Sequence, residues 1–389
     1  MNISGHLAAG TCTCTCTCLG IIVRLPEPLK AESACHSVLA PLQLTALLPH
    51  VLASVGSDTD GPYVNLRLNA RALRAWAPGH DTLQLAQTLQ LDGADLPDDL
   101  IREIMVTLLM GPVAFEFPSV SELLSAVRIR RNIVQAARKT TLAFHTAEAE
   151  RPEDCWAYDE DRGFVIRPHV SLITALTKAT QPEVSGQLYA FSCYRASEYV
   201  IVLGIAQELQ TCNPALFEQL QTLWTQRPIR SGEFHEVFLR EQGSMQAPLP
   251  PRYFVPGDRV WFRNPDEASA EVAGFEGSWV LYLGGGLFSN FWKRDQPYTL
   301  MQKCLEIYHW RHGVYRDAQG VEHMDEDKVA VCMESTLQQP AELQRCMAQM
   351  QRYREARGIY TDAGGCLDTT REFSRWVRPA TADLIFPNP

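Results

Sequence analysis

One cysteine stands where an apolar segment of the sequence gives way to a helical pattern. Residues 188–191 form the apolar segment, and Cys193 follows two positions later. After it, apolar residues recur at intervals of three and four, the spacing of one helix face: Ala196, Tyr199, Val200, Leu203 and Ala206. Cys193 therefore falls in or just before the first turn, where free N–H groups and the helix dipole favour a thiolate. The sequence predicts nucleophilic catalysis by Cys193; the alternative is a buried structural cysteine, the commonest state of a free thiol.

Three strand-like segments follow this helix and predict a sheet that faces the thiol. Residues 259–263 and 278–283 are separated by a polar loop. The triplet Gly284-Gly-Gly286 permits positive φ or a close backbone approach before a third strand at residues 287–290. We therefore expect a small antiparallel meander. A helix that begins with a cysteine and packs on such a sheet is the arrangement of papain-like enzymes and their small bacterial relatives.

Other segments carry helix signals. Ser119 and Glu122 form a capping box that predicts a helix over residues 119–137. Asn213 and Pro214 suit the start of a helix over residues 214–224. Residues 298–310 and 341–357 also have helical patterns, whereas the last segment, from residue 364, has an irregular pattern.

The composition narrows the class of protein. The chain has 389 residues, a formal net charge of −10, 46% hydrophobic and 21% charged residues, as in an ordinary globular protein. The negative charge argues against nucleic-acid binding, which needs clustered Lys and Arg. No apolar run approaches the roughly 18 residues of a membrane span. The first residues lack the basic and apolar regions of a signal peptide, so we expect a cytoplasmic protein.

The cysteine pattern predicts free thiols. Twelve cysteines in a chain of this length are too sparse for a disulfide scaffold. Residues 11–18 repeat Thr-Cys four times, which could bind a soft metal but lacks the paired spacing of a structural zinc site. We interpret residues 1–24 as a low-complexity tail.

Several blocks of sequence resemble the spore-coat type of protein-glutamine gamma-glutamyltransferase, in order from about Pro112 to about Trp310, some half of the chain. The blocks are Pro112-Val-Ala-Phe-Glu-Phe-Pro, Ser121-Glu-Leu-Leu, Arg131-Asn-Ile-Val-Gln-Ala-Ala, Leu188-Tyr-Ala-Phe-Ser-Cys193, Pro256-Gly-Asp-Arg-Val-Trp-Phe-Arg-Asn-Pro and Leu281-Tyr-Leu-Gly-Gly-Gly-Leu-Phe. They are specific as a set, and Cys193 matches the position of the family's nucleophile.

The resemblance implies an α+β fold with a papain-like (NlpC/P60-like) core and extensions at both ends. It also implies calcium-independent acyl transfer without a cofactor or a metal. The cysteine attacks the carboxamide of a protein glutamine, releases ammonia, and passes the acyl group to a lysine amine or to water. The expected partner is thus a protein substrate that bears Gln and Lys, and the oligomeric state stays open.

The other catalytic positions of the family are not matched. Ser192 stands where the family has a glutamate, and Ser278 stands where a second glutamate follows Gly277. The family's histidine falls on Phe291, or on Asn290 with a gap. A thiol needs a proton acceptor, so another residue must supply it.

Two residues are the first candidates to replace these partners. Glu276 lies two positions before Ser278, so on a strand it would share that face and project toward the thiol. Asn290 could orient an amide or stabilise an oxyanion, although it cannot act as a base. His235, His309 and His312 are further alternatives. The predicted site is therefore Cys193 with Glu276 and Asn290.

Three functions remain open at this stage. The first is acyl transfer to lysine, the second is deamidation or amide hydrolysis on the same fold, and the third is a binding module that has lost activity. The retained cysteine favours the first two, and the missing partners favour the third. We divide the chain into the tail at 1–24, an accessory region at 25–110, a catalytic core at 111–315 and a C-terminal extension at 316–389.

Overall fold

The structure is a computed structural model that describes residues 18–143, 149–161, 163–228, 230–354 and 364–387. It combines helices with small sheets, which confirms the predicted α+β class. The helices are α1 (Ala31–Leu39), α2 (Ala70–Trp76), α3 (Leu85–Leu89), α4 (Pro97–Leu109), α5 (Val120–Lys139), α6 (Leu172–Thr180), α7 (Pro182–Ser185), α8 (Cys193–Cys212), α9 (Pro214–Gln226), α10 (Ser231–Phe238), α11 (Glu267–Ala270), α12 (Leu300–Gly313), α13 (Glu326–Leu337) and α14 (Pro340–Met350).

The strands form two larger sheets and two hairpin-like pairs. They are β1 (Ile21–Arg24), β2 (Val51–Asp58), β3 (Gly61–Leu68), β4 (Phe115–Phe117), β5 (Trp156–Asp159), β6 (Gly163–Ile166), β7 (Leu239–Gln242), β8 (Arg259–Arg263), β9 (Gly277–Gly284), β10 (Leu287–Phe288), β11 (Tyr298–Thr299), β12 (Val314–Arg316), β13 (Glu322–Met324) and β14 (Arg371–Ser374). One sheet has the order β2-β3-β1-β4 and the other the order β11-β10-β9-β8-β14-β7. The pairs are β5-β6 and β12-β13.

The helix that begins at Cys193 is the centre of the fold. Helix α8 packs against α5 on one side and against strand β9 on the other. The approach to α5 is close at Gly204, where a Cβ atom would lie 2.6 Å from Ile133 Cγ1. A larger residue there would push the two helices apart. The prediction of a helix from Cys193 packed on a small antiparallel sheet is confirmed.

The capping box predicted at the start of α5 forms only in part. The Ser119 hydroxyl accepts a hydrogen bond from the Glu122 N–H at 3.1 Å. The Glu122 carboxylate does not reach back. It accepts instead from the N–H groups of Val377 and Arg378 and from the Thr381 hydroxyl, because this carboxylate is buried under the C-terminal segment.

The predicted meander is present as β8, β9 and β10, paired antiparallel. All three glycines of the triplet have positive φ, with values of 82°, 61° and 78°. The turn also makes the predicted close approach, since the Glu103 carboxylate of α4 accepts from the Gly285 N–H at 2.8 Å. A Cβ atom on Gly284 would lie 2.6 Å from that carboxylate. The third strand ends at Phe288, two residues earlier than predicted.

The prediction that residues 1–24 form a low-complexity tail is wrong for the part of this segment that the structure describes. Ile21–Arg24 forms strand β1, which pairs with both β3 and β4 and lies inside its sheet. Ile21 and Val23 are fully buried because alternate side chains of this strand face the core. The Thr-Cys repeat up to residue 17 lies outside the described residues.

The accessory and C-terminal regions contribute to the same body as the central segment. A single apolar core runs from Ile21 in β1 to Leu384 near the end of the chain. The last segment is not simply irregular, because β14 lies between β8 and β7 in the six-stranded sheet. The C-terminal residues therefore complete the sheet that faces Cys193. The four-part division of the chain otherwise stays a prediction.

The remaining helix predictions are confirmed with shifted ends. Asn213 caps α9 by accepting from the Leu216 N–H at 3.3 Å. Helix α12 begins at Leu300 behind a capping box of Thr299 and Gln302. Helix α14 ends at Met350, earlier than predicted, and residues 355–363 lie outside the described chain. None of the helices described is long and apolar enough to cross a bilayer.

Candidate active site

Cys193 is the first residue of α8. The preceding Ser192 is the N-cap, and its hydroxyl accepts from the Arg195 N–H at 3.4 Å. A serine at this position thus has a structural role that starts the helix. The Tyr194 N–H at this helix start lowers the pKa of the Cys193 thiol.

Strand β9 supplies a second main-chain donor to the same sulfur. The Trp279 N–H lowers the pKa of the Cys193 thiol more than any other group does. The strand is held closely against β8, because a Cβ atom on Gly277 would lie 2.5 Å from Trp261 Nε1 and 2.6 Å from the Phe262 carbonyl oxygen. Glycine at position 277 therefore allows the start of β9 to pack closely on β8.

A buried arginine packs against the ring of Trp279. The Arg259 guanidinium lies 3.9 Å from the centre of the Trp279 ring. Its Nε donates to the Ser197 hydroxyl at 2.9 Å, and its Nη1 pairs with the Glu372 carboxylate of β14 at 3.1 Å. Arg259 thus contacts helix α8, strand β9 and strand β14 at the same time.

Cys193 opens into a cavity of about 340 Å³ between α8, the meander and the pair α12–α13. Its polar lining includes Cys193, Ser278, Asn290, Lys303, Glu306 and Glu326. Indole rings of Trp279, Trp292 and Trp310 also line it. A larger cavity of about 790 Å³ beside β1 has no cysteine or histidine among the described residues that line it. The smaller cavity is therefore the candidate active site.

The surroundings of the Cys193 thiol favour its protonated form. Burial among packed atoms raises the pKa of Cys193 above its ordinary value of 9.0. The Trp279 N–H, the positive charge of Lys303, the Tyr194 N–H and the charge of Arg259 lower this pKa but do not offset burial. The helix start favours the thiolate as predicted, but desolvation exceeds this effect, so the net pKa of the thiol is raised.

The wall across from Cys193 is charged. Lys303 Nζ lies 2.5 Å from the Glu306 carboxylate and 3.5 Å from the centre of the Tyr298 ring. The Tyr298 hydroxyl donates to the same carboxylate at 3.2 Å. Burial, followed by the charge of Glu306, raises the pKa of Glu326 on α13. Lys303, Glu306 and Glu326 thus offer an ammonium group and two carboxylates, and Lys293 and Asp327 also line the cavity.

Glu276 does not take the predicted position. Strand β9 begins at Gly277, so Glu276 lies in the preceding turn and the alternation of strand faces does not apply to it. Its side chain is exposed, and the carboxylate accepts from the Gly274 N–H at 3.4 Å. Among the described residues, Ser278 lines the cavity and Glu276 does not.

Asn290 does line the cavity, but its amide is engaged in the adjoining loop. Its Nδ2 donates to the Gln296 carbonyl at 3.0 Å, and its Oδ1 accepts from the N–H groups of Trp292 and Lys293. These contacts hold the loop that carries Trp292. Phe291, the other match to the family's histidine, is almost fully buried. A role for Asn290 at the thiol stays a prediction.

The three histidines lie elsewhere. His309 and His312 line a different cleft, together with Cys332. His235 lies within 4 Å of Glu236, Glu241 and Glu372 and is not part of the cavity lining. None of them is a partner of Cys193.

Sequence reasoning missed the charged wall. Lys303 and Glu306 are three residues apart in a segment predicted to be helical, and such a pair is normally a surface pair. Lys303 is only 3% exposed, which the local pattern does not reveal. The one available signal was a lysine on the apolar face of that helix.

Comparisons with known proteins agree on one family. The sequence model of the TGL family, described as protein-glutamine gamma-glutamyltransferase, matches residues 83–378. A protein-glutamine gamma-glutamyltransferase from Bacillus pumilus is 27% identical over 190 residues, which cover 47% of this chain and 69% of that protein. One from Halalkalibacterium halodurans is 24% identical over 217 residues, covering 54% of this chain and 70% of that protein.

One solved structure also aligns with this chain, with low sequence identity and a low TM-score. The transglutaminase from Geobacillus stearothermophilus, without its C-terminal extension, aligns with 20% identity and a TM-score of 0.37. The alignment covers 56% of this chain and 98% of that one. A score of this size does not establish a common fold.

Proposed function

Since the chain belongs to the protein-glutamine gamma-glutamyltransferase family, we propose that Cys193 is the nucleophile that carries the acyl group of a protein glutamine as a thioester. The observation that carries the proposal is the position of the thiol, at the first residue of a helix and in the lining of a cavity. The proposed substrates are a protein that bears an accessible glutamine and a protein that bears a lysine. Acyl transfer fits the family, and the cavity lining supplies charged groups at Lys303, Glu306 and Glu326.

The first half-reaction forms the thioester. The sulfur attacks the carboxamide carbon, a C–S bond forms, and the C–N bond breaks. The thiol proton goes to the leaving nitrogen, so that ammonia departs. In the second half-reaction the lysine nitrogen forms a C–N bond, the C–S bond breaks, and a proton from the amine returns to sulfur. The sum is one isopeptide bond and one ammonia for each glutamine and lysine.

Two main-chain donors support the charged intermediate. The N–H groups of Tyr194 and Trp279 both interact with the thiol in the resting state. When the sulfur attacks, a negative charge develops on the former carbonyl oxygen next to these donors. Fixed donors of this kind stabilise an oxyanion without the cost of reorganising water.

The charged wall supports proton transfer and the binding of the second substrate. Lys303 lowers the pKa of the thiol and stabilises negative charge on sulfur. Glu306 holds Lys303 by an ion pair. Glu326 is a carboxylate with a raised pKa, which suits it to attract a lysine ammonium and then to accept a proton from it. This feature favours a lysine over water as the acyl acceptor.

The direct test is incorporation of a fluorescent primary amine into a glutamine-bearing protein, with ammonia release measured in parallel. We expect both activities in the unaltered chain and neither in Cys193→Ala. Cys212→Ala, a half-buried cysteine at the other end of α8, is the matched control and should keep both. Ammonia release without amine incorporation would identify a deamidase. Full activity in Cys193→Ala would refute the assignment of the nucleophile.

A further inference from the structure

Two histidines and a cysteine meet in a cleft separate from the Cys193 cavity. His309 and His312 are one turn apart on α12, and Cys332 lies on α13, which packs against it. The two Nδ1 atoms are 3.0 Å apart. One ligand atom from each of the three residues lies within 4.8 Å of the others. We propose that His309, His312 and Cys332 form a binding site for a thiophilic divalent metal ion of the Zn²⁺ type.

The distances suit a tetrahedral ion. Metal–nitrogen bonds of about 2.0–2.1 Å and a metal–sulfur bond of about 2.3 Å put two ligand nitrogens roughly 3.3 Å apart, and nitrogen and sulfur roughly 3.6 Å apart. The nitrogen pair already has nearly this separation. One ring nitrogen of each histidine and the Cys332 sulfur lie within 4.8 Å of one another, so the sulfur must approach its nitrogen partners by about 1.2 Å at most. Rotation of one cysteine side chain covers a movement of this size.

A hydrogen bond already orients the buried histidine for binding. His309 Nε2 lies 2.9 Å from the Thr336 hydroxyl, which belongs to the turn of α13 after Cys332. With Nε2–H as the donor, the lone pair of Nδ1 points at His312. Metal-binding histidines are commonly held in this way, by a hydrogen bond from the other ring nitrogen. A hydrogen bond between the two facing nitrogens needs one proton, which a bound ion would displace.

The surrounding charges select the kind of ion. Arg311 and Lys328 line the cleft with positive charge, and Glu342 lines it with a carboxylate. This balance does not favour a hard ion such as Mg²⁺ or Ca²⁺, which needs several oxygen ligands. Two imidazoles and one thiolate instead suit zinc and similar metals. The cleft is open, with a volume of about 690 Å³, and leaves room for water as a fourth ligand.

The site joins two helices that also form the charged wall of the active-site cavity. Helix α12 carries Lys303 and Glu306, and α13 carries Glu326. An ion bound by both helices would stabilise them against separation. The proposal does not depend on acyl transfer, because it concerns binding and stability alone.

The test uses binding of Zn²⁺ by calorimetry and of Co²⁺ by absorption. The full chain carries the background changes Cys12→Ser, Cys14→Ser and Cys16→Ser, because the Thr-Cys repeat could also bind metal. We expect one strong site, with the charge-transfer band of a Co²⁺–thiolate bond. His312→Ala and Cys332→Ser should each weaken binding more than about tenfold. Both residues are partly or largely exposed, so these variants should fold, which thermal unfolding without metal checks.

Matched controls separate this site from other thiols and imidazoles. His36→Ala on the exposed side of α1 and Cys212→Ser on α8 should leave binding unchanged. Zn²⁺ should also raise the unfolding temperature of the background protein but not that of Cys332→Ser. Equal affinity in background and Cys332→Ser, or no binding to the background protein, would overturn the proposal.

Discussion

Cys193 at the start of α8 and Trp279 in β9 line the same cavity, and the main-chain N–H of Trp279 lowers the pKa of the cysteine thiol. Helix α8 and strand β9 pack against each other next to this cavity. Arg259 packs on the Trp279 ring and binds Ser197 of α8, so the same contact is supported from below. The relative position of helix α8 and strand β9 therefore decides whether the Trp279 N–H can act on the thiol.

The reactivity of Cys193 should rise only in alkaline solution. Burial raises the pKa of this thiol above 9.0, so it is protonated at pH 7 and becomes a thiolate as the pH passes the raised pKa. We expect the rate of iodoacetamide labelling at Cys193, followed by peptide mass spectrometry, to increase up to and beyond pH 9. Labelling that reaches its plateau below pH 8 would contradict the proposed protonation state.

Loss of the Lys303 charge should slow both labelling and catalysis. Lys303→Met removes a positive charge that lowers the pKa of Cys193, so the midpoint of the labelling profile should move to higher pH. We expect kcat for amine incorporation to fall about tenfold or more, since charge on sulfur is less stabilised.

Two variants control for folding and for general charge in the Lys303 experiment. Lys303→Arg keeps the charge and should preserve most of the labelling profile. Lys293→Met removes an exposed lysine of the same cavity lining and should have little effect. A labelling midpoint that is the same in Lys303→Met and in the unaltered protein would exclude the proposed role.

Glu326 should act on the amine substrate. Glu326→Gln removes a carboxylate that lines the cavity, so we expect KM for the primary amine to rise about tenfold. Ammonia release in the absence of amine should change little, because thioester formation does not use this residue. Glu334→Gln, an exposed position on the same helix, is the matched control. An unchanged KM, or equal loss of both activities, would reject the assignment.

Glu103 should make stability depend on pH. Burial raises its pKa from 4.5 to about 7, so the folded state binds an additional proton between these values. Stability should therefore fall as pH rises from about 4.5 to 7 and stay level above. Glu103→Gln keeps an acceptor for the Gly285 N–H and removes this charge.

At pH 8 we expect the Glu103→Gln variant to be more stable by up to about 3 kcal/mol. The measurement is urea unfolding of both proteins at several pH values. The difference should shrink as the pH is lowered toward 5. A variant that is less stable than the unaltered protein at pH 8 would show that the charged carboxylate stabilises the turn, against the raised pKa.

Local pattern was sufficient for the helix that begins at Cys193 and for the meander. Their signals lie within one segment: a helical spacing of apolar residues after Cys193, and alternating strands around the glycine triplet. The same reasoning failed at Ile21–Arg24 and Arg371–Ser374, which are short strands near the ends of the described chain. Each pairs with strands distant in sequence, and no local signal reveals such a partner.

The sequence by itself determined the family resemblance and the fold class, and it supplied the candidate nucleophile, because these depend on motifs and on the periods of single elements. Only the tertiary structure decided the environment of the thiol. It turned Glu276 away from the cavity, buried Lys303 beside Glu306, and raised the pKa of Cys193. The physical reason is that burial and charge at a site come from residues far apart in the chain, and their effects depend on distances that no spacing in the sequence records.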